Sequence, residues 1–435
     1  MSDPELTQGR IFRFWLPLAA TWLMMAVEGP FLAAVIARLT EPTYNLAAYG
    51  VAFSLALVVE APVIMLMSAA TALARNRLSY LRLRRFTHGL NAGVTLAMGV
   101  ALLPPIFDVI AYGLIQLPPE VASRTHIALL ILLPWPGTIG YRRLYQGVLI
   151  RHGLTRRVAY GTVVRLVAMF GTAYLLAGQH GIEGAWVGAA ALTMGVSCEA
   201  ATSRMMAAGS LRSLMKTEGE ASGAAASWVS LTRFYYPLAL TTLLSLGIHP
   251  VVTFFVGNSR MPLESLAVLP VIGALVFIFR SLGLAFQEVV IALIGDDQEA
   301  YLPLRRFGAL LGLGVAAGLS VIAWTPLAEV WFGNLSGLTR ELADFAVVPT
   351  RILAILPGLT ALLSFQRAVM VVRNTTDRIT WATVIEVIGV VVVMSIAIWA
   401  FDVIGAIAAA SALLIGRIGA NLYLAPAIRV ERQGS

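Results

Sequence analysis

Arg13-Phe14-Trp15-Leu16-Pro17-Leu18-Ala19 returns as Arg233-Phe234-Tyr235-Tyr236-Pro237-Leu238-Ala239, 220 residues later in a chain of 435. The register continues past these heptads. At the same offset Pro30 pairs with Pro250, and Leu46-Ala47 with Leu266-Ala267. One inserted residue later, at 221, Leu83-Arg84-Arg85-Phe86 pairs with Leu304-Arg305-Arg306-Phe307, Pro105 with Pro326, and Asp108-Val109 with Glu329-Val330. Pro136-Gly137 then pairs with Pro357-Gly358, Arg157 with Arg378, and Gly184-Ala185 with Gly405-Ala406. Chance likeness between apolar runs would lose its register at the loops. An internal duplication keeps it.

What is duplicated is a set of membrane-length helices. The chain is 58% hydrophobic and 12% charged, with a mean hydropathy of +0.81. A soluble domain carries about 25% charged residues, so this composition suits a lipid-facing surface. Apolar runs long enough to span a bilayer lie near 11–37, 45–74, 86–115, 125–150, 158–178, 184–208, 230–257, 264–294, 306–332, 343–372, 379–401 and 404–428, about twelve in all. The first is too long for the apolar core of a cleaved signal peptide and is read as a retained helix. The expected architecture is an all-α polytopic membrane protein of two six-helix bundles, residues 1–208 and 230–435. A Gly/Ala/Ser-rich cytoplasmic linker at 209–229 joins them. Each half has an even number of spans, so both enter the membrane in one sense, as in parallel-repeat transporters. A cavity between the halves is then the default substrate site.

Arginine distribution orients the chain. Clusters follow every second span: Arg75, Arg77, Arg82, Arg84 and Arg85; Arg151, Arg156 and Arg157; Arg212 and Lys216; Arg305 and Arg306; Arg373 and Arg378; Arg429 and Arg432. The intervening loops hold single arginines. The positive-inside rule therefore places both termini in the cytoplasm of a cell whose inner membrane holds the chain. The net charge of +8 comes from these loops rather than from one basic face, so nucleic acid is not an expected partner. The expected partners are the bilayer and a small anionic or amphiphilic solute, with the chain a monomer. The single cysteine, Cys198, excludes an intramolecular disulfide and a cysteine-based metal site. There is no Walker loop and no HExxH, and Asp296-Asp297 is the only adjacent acidic pair placed as for metal-diphosphate chemistry. No enzyme activity, metal or cofactor is expected.

Charged groups inside the spans cost a few kcal/mol each unless they face a partner or water. The candidates are Glu28, Glu60, Arg142, Arg143, Arg165, Glu199, Arg280, Glu288, Arg351, Arg367, Glu386 and Arg417. The duplication pairs Glu60 with Arg280, Arg165 with Glu386, and Ser68 with Glu288, keeping depth while changing charge. Arg142, Arg143, Arg280, Arg351, Glu60 and His249, the last of which stands where the first half has Gly29, are the candidate substrate contacts, because arginine forks suit carboxylate and phosphate. Glu28, beside Gly29 and Pro30, and Glu288 are the candidate coupling groups for H+ or Na+, a carboxylate next to a bendable helix. Arg165, Glu199 and Glu386 are read as structural ion pairs. Arg367 and Arg417 either snorkel to the cytoplasmic interface or pair inside.

Arg13-Phe14-Trp15-Leu16-Pro17-Leu18, Ala48-Tyr49-Gly50-Val51-Ala52-Phe53-Ser54-Leu55, Phe234-Tyr235-Tyr236-Pro237-Leu238-Ala239-Leu240, Trp324-Thr325-Pro326 and Val347-Val348-Pro349-Thr350-Arg351-Ile352-Leu353 together resemble the progressive ankylosis (ANK) family, in order along nearly the whole chain. The resemblance implies the MATE-like fold of the multidrug and oligosaccharide-lipid exporters. It also implies export of small organic anions such as citrate, pyrophosphate or nucleotide triphosphate, with Arg351 as an anion contact. The apolar stretch from Val271 to Gln287 around Arg280 departs from the family pattern. On this reading the protein is a secondary transporter exporting a small organic anion by alternating access. The alternatives are a flippase for a lipid-linked or amphiphilic substrate, and cationic multidrug efflux on the same fold. The loop Ala74-Arg75-Asn76-Arg77-Leu78-Ser79-Tyr80 does not match that of the major facilitator type.

Overall fold

The computed structural model describes residues 6–179, 181–219, 227–294, 300–373, 375 and 377–426. Within them the chain is helical, with no named strand. Among the described residues nine helices are long and apolar enough to cross a membrane, and ten if the pair Arg77–Ala101 and Pro104–Leu114, bent by 73°, counts as one span. The protein is thus a multi-pass membrane protein. All of the roughly twelve expected runs are helical, and two of them do not meet that measure of length and apolarity. Helices fill 119–151 and Gly184–Met206, but they fall short of the apolarity of a spanning helix. The first carries Arg142, Arg143 and Arg151; the second is rich in Gly and Ala and carries Glu199 and Arg204. Both turn their polar groups toward neighbouring helices instead of lipid.

Local chemistry explains where helices begin and bend. Thr7 caps Gln8–Ala26, and capping boxes Asn76/Ser79 and Ser227/Ser230 open Arg77–Ala101 and Trp228–Leu246, each satisfying orphan N–H groups. The first membrane segment breaks at Val27 and its counterpart at Gly247. Pro30 and Pro250, three residues later, lack the N–H that would continue each ladder. The linker expected at 209–229 is partly helical: Ala208–Lys216 forms a helix with Ser210, Leu211 and Leu214 buried. Its glycine has room on all sides, so Gly209 does not stop it. His180, Asp296, Asp297, Arg429 and Arg432 lie outside the described residues.

The duplication recurs in backbone detail. Left-handed residues pair at Glu41 (φ 46°) and Met261 (φ 55°), Gln116 (φ 59°) and Gly337 (φ 73°), and Gly181 (φ 86°) and Asp402 (φ 48°). Wide π turns pair at Val109–Leu114 and Val330–Leu335. The Ala185 N–H donates to Asn45 Oδ1 at 2.9 Å, and the Ala406 N–H to Ser265 Oγ at 3.0 Å. A Cβ on Gly195 would meet Arg165 O at 3.1 Å, and one on Gly416 would meet Glu386 O at 2.7 Å. In both halves, then, the penultimate and last helices approach at a glycine.

The compact units do not follow chain order. One comprises residues 1–34 with 258–435; the other comprises 35–257. The sequence expectation put the divisions at 1–208 and 230–435. Instead, the first helix of each half packs with the later helices of the other half. Trp15 shows why in the first unit: its indole N–H donates to Leu282 O at 3.1 Å, and Ile11, Trp15 and Ala19 join a core with Ala285, Phe286 and Val289. In the second unit Tyr235 donates its hydroxyl to Pro62 O at 2.6 Å, and Thr253 donates to Ser54 Oγ at 2.9 Å. Trp15 and Tyr235 are repeat equivalents, and so are Leu282 and Pro62.

Gly416→Ala should destabilise the protein by about 1–3 kcal/mol, the usual cost of overpacking, because its Cβ would strike the Glu386 carbonyl. Gly209→Ala, with nothing within 4 Å of its Cβ, should leave the midpoint of thermal unfolding in detergent unchanged or slightly raised.

Candidate functional site

In the unit of residues 35–257, four helices bring polar groups together in an apolar interior. Glu199, 1% exposed on Gly184–Met206, is the centre. Arg142 on Trp135–Arg151 ion-pairs with its Oε2, Gln146 one turn later donates to Oε1 at 2.9 Å, and Arg165 on Thr155–Ala177 stands 3.6 Å from Oε2. The helices can close on this carboxylate because Gly161 faces it: a Cβ there would lie 3.4 Å from Glu199 Cγ.

Glu60 and Arg143 complete this group without being absorbed by it. Glu60 is 8% exposed, and its Oε2 is buried with no hydrogen-bond partner. Arg143, Arg142 and Arg165 all lie within its electrostatic reach. Arg143 donates through Nη1 to the Met67 thioether at 3.6 Å, and its Nε has no acceptor. That contact follows from Gly147, where a Cβ would sit 2.4 Å from Met67 O. The missing side chain lets Trp135–Arg151 press on the break after Pro42–Ile64.

The unit of residues 1–34 and 258–435 holds the counterpart. Arg417 on Gly405–Leu424 clasps Glu386 on Asp377–Ser395 with Nε and Nη2, at 2.8 and 2.7 Å, and donates to Thr360 at 3.1 Å. Arg367 occupies the position of Gln146 and donates to Thr383 Oγ1 at 3.2 Å; its Nε is buried without an acceptor. Arg280 occupies the position of Glu60. It is half-buried, its Nε also lacks an acceptor, and Arg417, Glu386 and Arg367 are its charged neighbours. Three guanidinium groups thus share one carboxylate, a surplus of two positive charges.

Several sequence expectations change here. Arg142 is not open to a solute: it is 5% exposed and bound to Glu199. Arg351 is exposed, donates Nε to Ala323 O at 3.0 Å and lies 4.8 Å over the Trp324 ring. It closes the C-terminal end of Tyr301–Trp324, as His126 does for Leu102 O at 2.8 Å in the other half. Arg367 and Arg417 belong to the buried group rather than to the interface. Glu28 is buried at the head of Glu28–Ala37, where Gly29 abuts Ala274, while Glu288 and His249 are exposed. Gln146, Met67, Thr360 and Thr383 went unread in the sequence. The offset of 221 from Gln146 to Arg367 was the available signal.

Outside the spans, Arg124 ion-pairs with Glu41 and Glu183, and Asn45 donates to Glu183 Oε2 at 2.8 Å. Burial pushes the Glu183 carboxyl up, but hydrogen bonds from Arg124 and Asn45 and the Arg124 charge outweigh it and hold it below the ordinary range. No group of three or more metal-ligating side chains occurs among the described residues.

No family model and no curated protein matches the sequence. Solved structures do match by fold. An inward-facing multidrug resistance MATE family transporter of the MOP superfamily superposes with TM-score 0.69 at 14% identity, covering 92% of each chain. The lipid II flippase MurJ in an inward closed conformation gives TM-score 0.73 at 14% identity, over 95% of this chain and 88% of that one. A MOP superfamily transporter from Pyrococcus furiosus, described by the reverse polarity of its binding pocket, gives 0.57 at 14%, over 96% and 95%. The chain therefore shares the MATE-like fold of these structures.

Glu199→Ala should destabilise the protein by about 3–5 kcal/mol, because Arg142 is then a buried unpaired charge. Adding Arg142→Met should recover part of the loss in thermal unfolding; equal loss in single and double variants would contradict the pairing. For Glu183, a carboxyl held low contributes stability above its unfolded pKa and loses it as pH falls through its folded value. Wild type should therefore lose more thermal stability on acidification than Glu183→Gln.

Proposed function

We propose that the protein is a secondary transporter that exports a small organic anion by alternating access. The observation that carries this reading is the uncompensated charge around Arg280 and Arg367. Buried guanidinium groups without a counterion are costly, and both have a buried N–H with no acceptor. A carboxylate or phosphate of the solute would supply the acceptors and the charge, and guanidinium forks bind such groups bidentately. Arg417 is held by Glu386, so Arg280 and Arg367 are the contacts and Arg417 the support. Solved structures of this fold include inward-facing and outward-facing transporters, which agrees with alternating access. Cationic drug efflux is disfavoured because it would call for free acids where this chain has arginines.

A second reading, a flippase for a lipid-linked diphosphate, uses the same guanidinium chemistry, and a lipid II flippase shares the fold. The two separate in one experiment. Proteoliposomes with the cytoplasmic face outward should accumulate labelled citrate, pyrophosphate or ATP. Arg280→Gln should weaken the apparent affinity at least about tenfold, since a charge-assisted hydrogen bond contributes about 1.5–3 kcal/mol and about 1.4 kcal/mol is tenfold. Translocation of a polyprenyl diphosphate with no anion uptake would favour the flippase. Uptake of an anion undiminished in both Arg280→Gln and Arg367→Gln would remove the proposed site.

A further inference from the structure

Where the Arg280 unit places a cation, the other unit places Glu60, and its surroundings differ from those of every other buried carboxylate in the two clusters. Glu199 is bonded by Arg142 with Arg165 close by, and Glu386 is clasped by Arg417. Glu60 has three arginines in electrostatic reach and a buried Oε2 that none of them bonds. Arg142 is committed to Glu199, and Arg165 lies against the same carboxylate. Only Arg143 is available, and it is parked on a thioether, an acceptor far weaker than a carboxylate.

We propose that Glu60 is a proton-exchange site of the protein, with Arg143 as its alternate partner. With Glu60 as a neutral carboxyl, its Oε2 needs no cation and Arg143 stays on Met67, the contact present in this structure. Loss of the proton to water leaves a carboxylate, and the Arg143 guanidinium leaves Met67 to pair with it. Rebinding of the proton reverses both steps. The surroundings permit this. From the helices packed around Pro42–Ile64, the titratable and charged groups on that side are Arg142, Arg143, Tyr141 and Tyr145 on Trp135–Arg151 and Glu199 on Gly184–Met206. Tyr235 on Trp228–Leu246 uses its hydroxyl on Pro62 O, His88 on Arg77–Ala101 and His249 on Ile248–Gly257 are exposed, and Arg165 stands behind on Thr155–Ala177. Arg124 and His126, on Pro119–Ile131, are engaged with Glu41, Glu183 and Leu102 O. Glu199, the other carboxylate within electrostatic reach of Arg143, is already paired with Arg142 and Arg165.

Met67 lies on the far side of the break at Met65 from Glu60. Moving Arg143 between them therefore shifts a tie across the joint of a bent segment, which is how a proton could bias a conformational change. Coupling of this proton to solute movement rests on the transporter reading; the proton site itself does not.

Infrared difference spectra of the full-length protein in lipid, stepped from acidic to mildly alkaline buffer, test the site directly. Wild type should lose a protonated-carboxyl band that is absent from Glu60→Gln. In Arg143→Met the band should persist to higher pH, because the cation that draws off the proton is gone; a merely structural Arg143 would not move it. Thermal unfolding and size-exclusion profiles establish that both variants are folded. Identical band loss in wild type and Glu60→Gln would overturn the proposal, and so would an Arg143→Met band that titrates like wild type. In proteoliposomes, a pH gradient should drive anion uptake by wild type and not by Glu60→Gln. If no anion moves in wild type, the transporter reading fails on its own, and the infrared result still decides Glu60.

Discussion

A carboxylate sealed inside a helical membrane protein must be met by cations and donors, because neither lipid nor apolar side chains can solvate it. Glu199 and Glu386 are where this protein meets that constraint. Each ties the last helix of one half to its neighbours, and each is reached only because glycines let helices close. Gly161 opens the way to Glu199; Gly416 sits against the Glu386 carbonyl. The packing of helices 135–151, Thr155–Ala177 and Gly184–Met206 in one unit, and of Leu356–Val372, Asp377–Ser395 and Gly405–Leu424 in the other, is arranged around these ion pairs.

Duplication preserved backbone and exchanged chemistry. Capping of Ala185 by Asn45 and of Ala406 by Ser265 uses different side chains for one hydrogen bond. The carboxylate moves from the sixth helix of one half (Glu199) to the fifth-helix position of the other (Glu386), and the arginine moves the opposite way. Ion pairing survives such a swap because attraction depends on the pair and not on which helix bears which sign. Left-handed φ at Glu41 and Met261 survives for a different reason: the turn geometry is fixed by its neighbours, so the cost of a non-glycine residue there is paid in both copies.

Legibility followed the range of each interaction. Helices, their breaks at Pro30 and Pro250, and the duplication are local or periodic, and all could be read from one sequence. Partner choice is not local. Arg142 and Arg143 are adjacent and chemically identical, yet one is sealed against Glu199 and the other lies on Met67. A helix turns about 100° per residue, and nothing in the sequence says which direction meets the acid. Arg351 looked buried because its span is apolar; the structure shows it stacked on Trp324 at an exposed helix end. The exchange of first helices between units was equally hidden. Arg13-Phe14-Trp15 and Arg233-Phe234-Tyr235 are apolar on more than one side, and only the carbonyls of Leu282 and Pro62 decide what they hold.

At the position shared by Glu60 and Arg280 the sign is exchanged and, among the described residues, neither group gains a bonded counter-charge. Elsewhere a lost carboxylate in one half is matched by a gained one on the adjacent helix. Here Arg280 gains no acid, and Glu60 gains no bonded arginine, although Arg143 is near. Structural selection alone would close both gaps, because each leaves a desolvated group short of partners at a cost of about 1–3 kcal/mol or more. Two equivalent positions that stay open, one short of an anion and the other short of a cation, fit groups whose partners come and go: a solute anion at Arg280, and a proton or the Arg143 guanidinium at Glu60. The sign difference between the copies then has a use. Identical residues at both positions would bind the same species twice, whereas opposite ones would, on the proposed transport reading, give a single duplicated scaffold a site for a solute anion in one half and for a proton in the other.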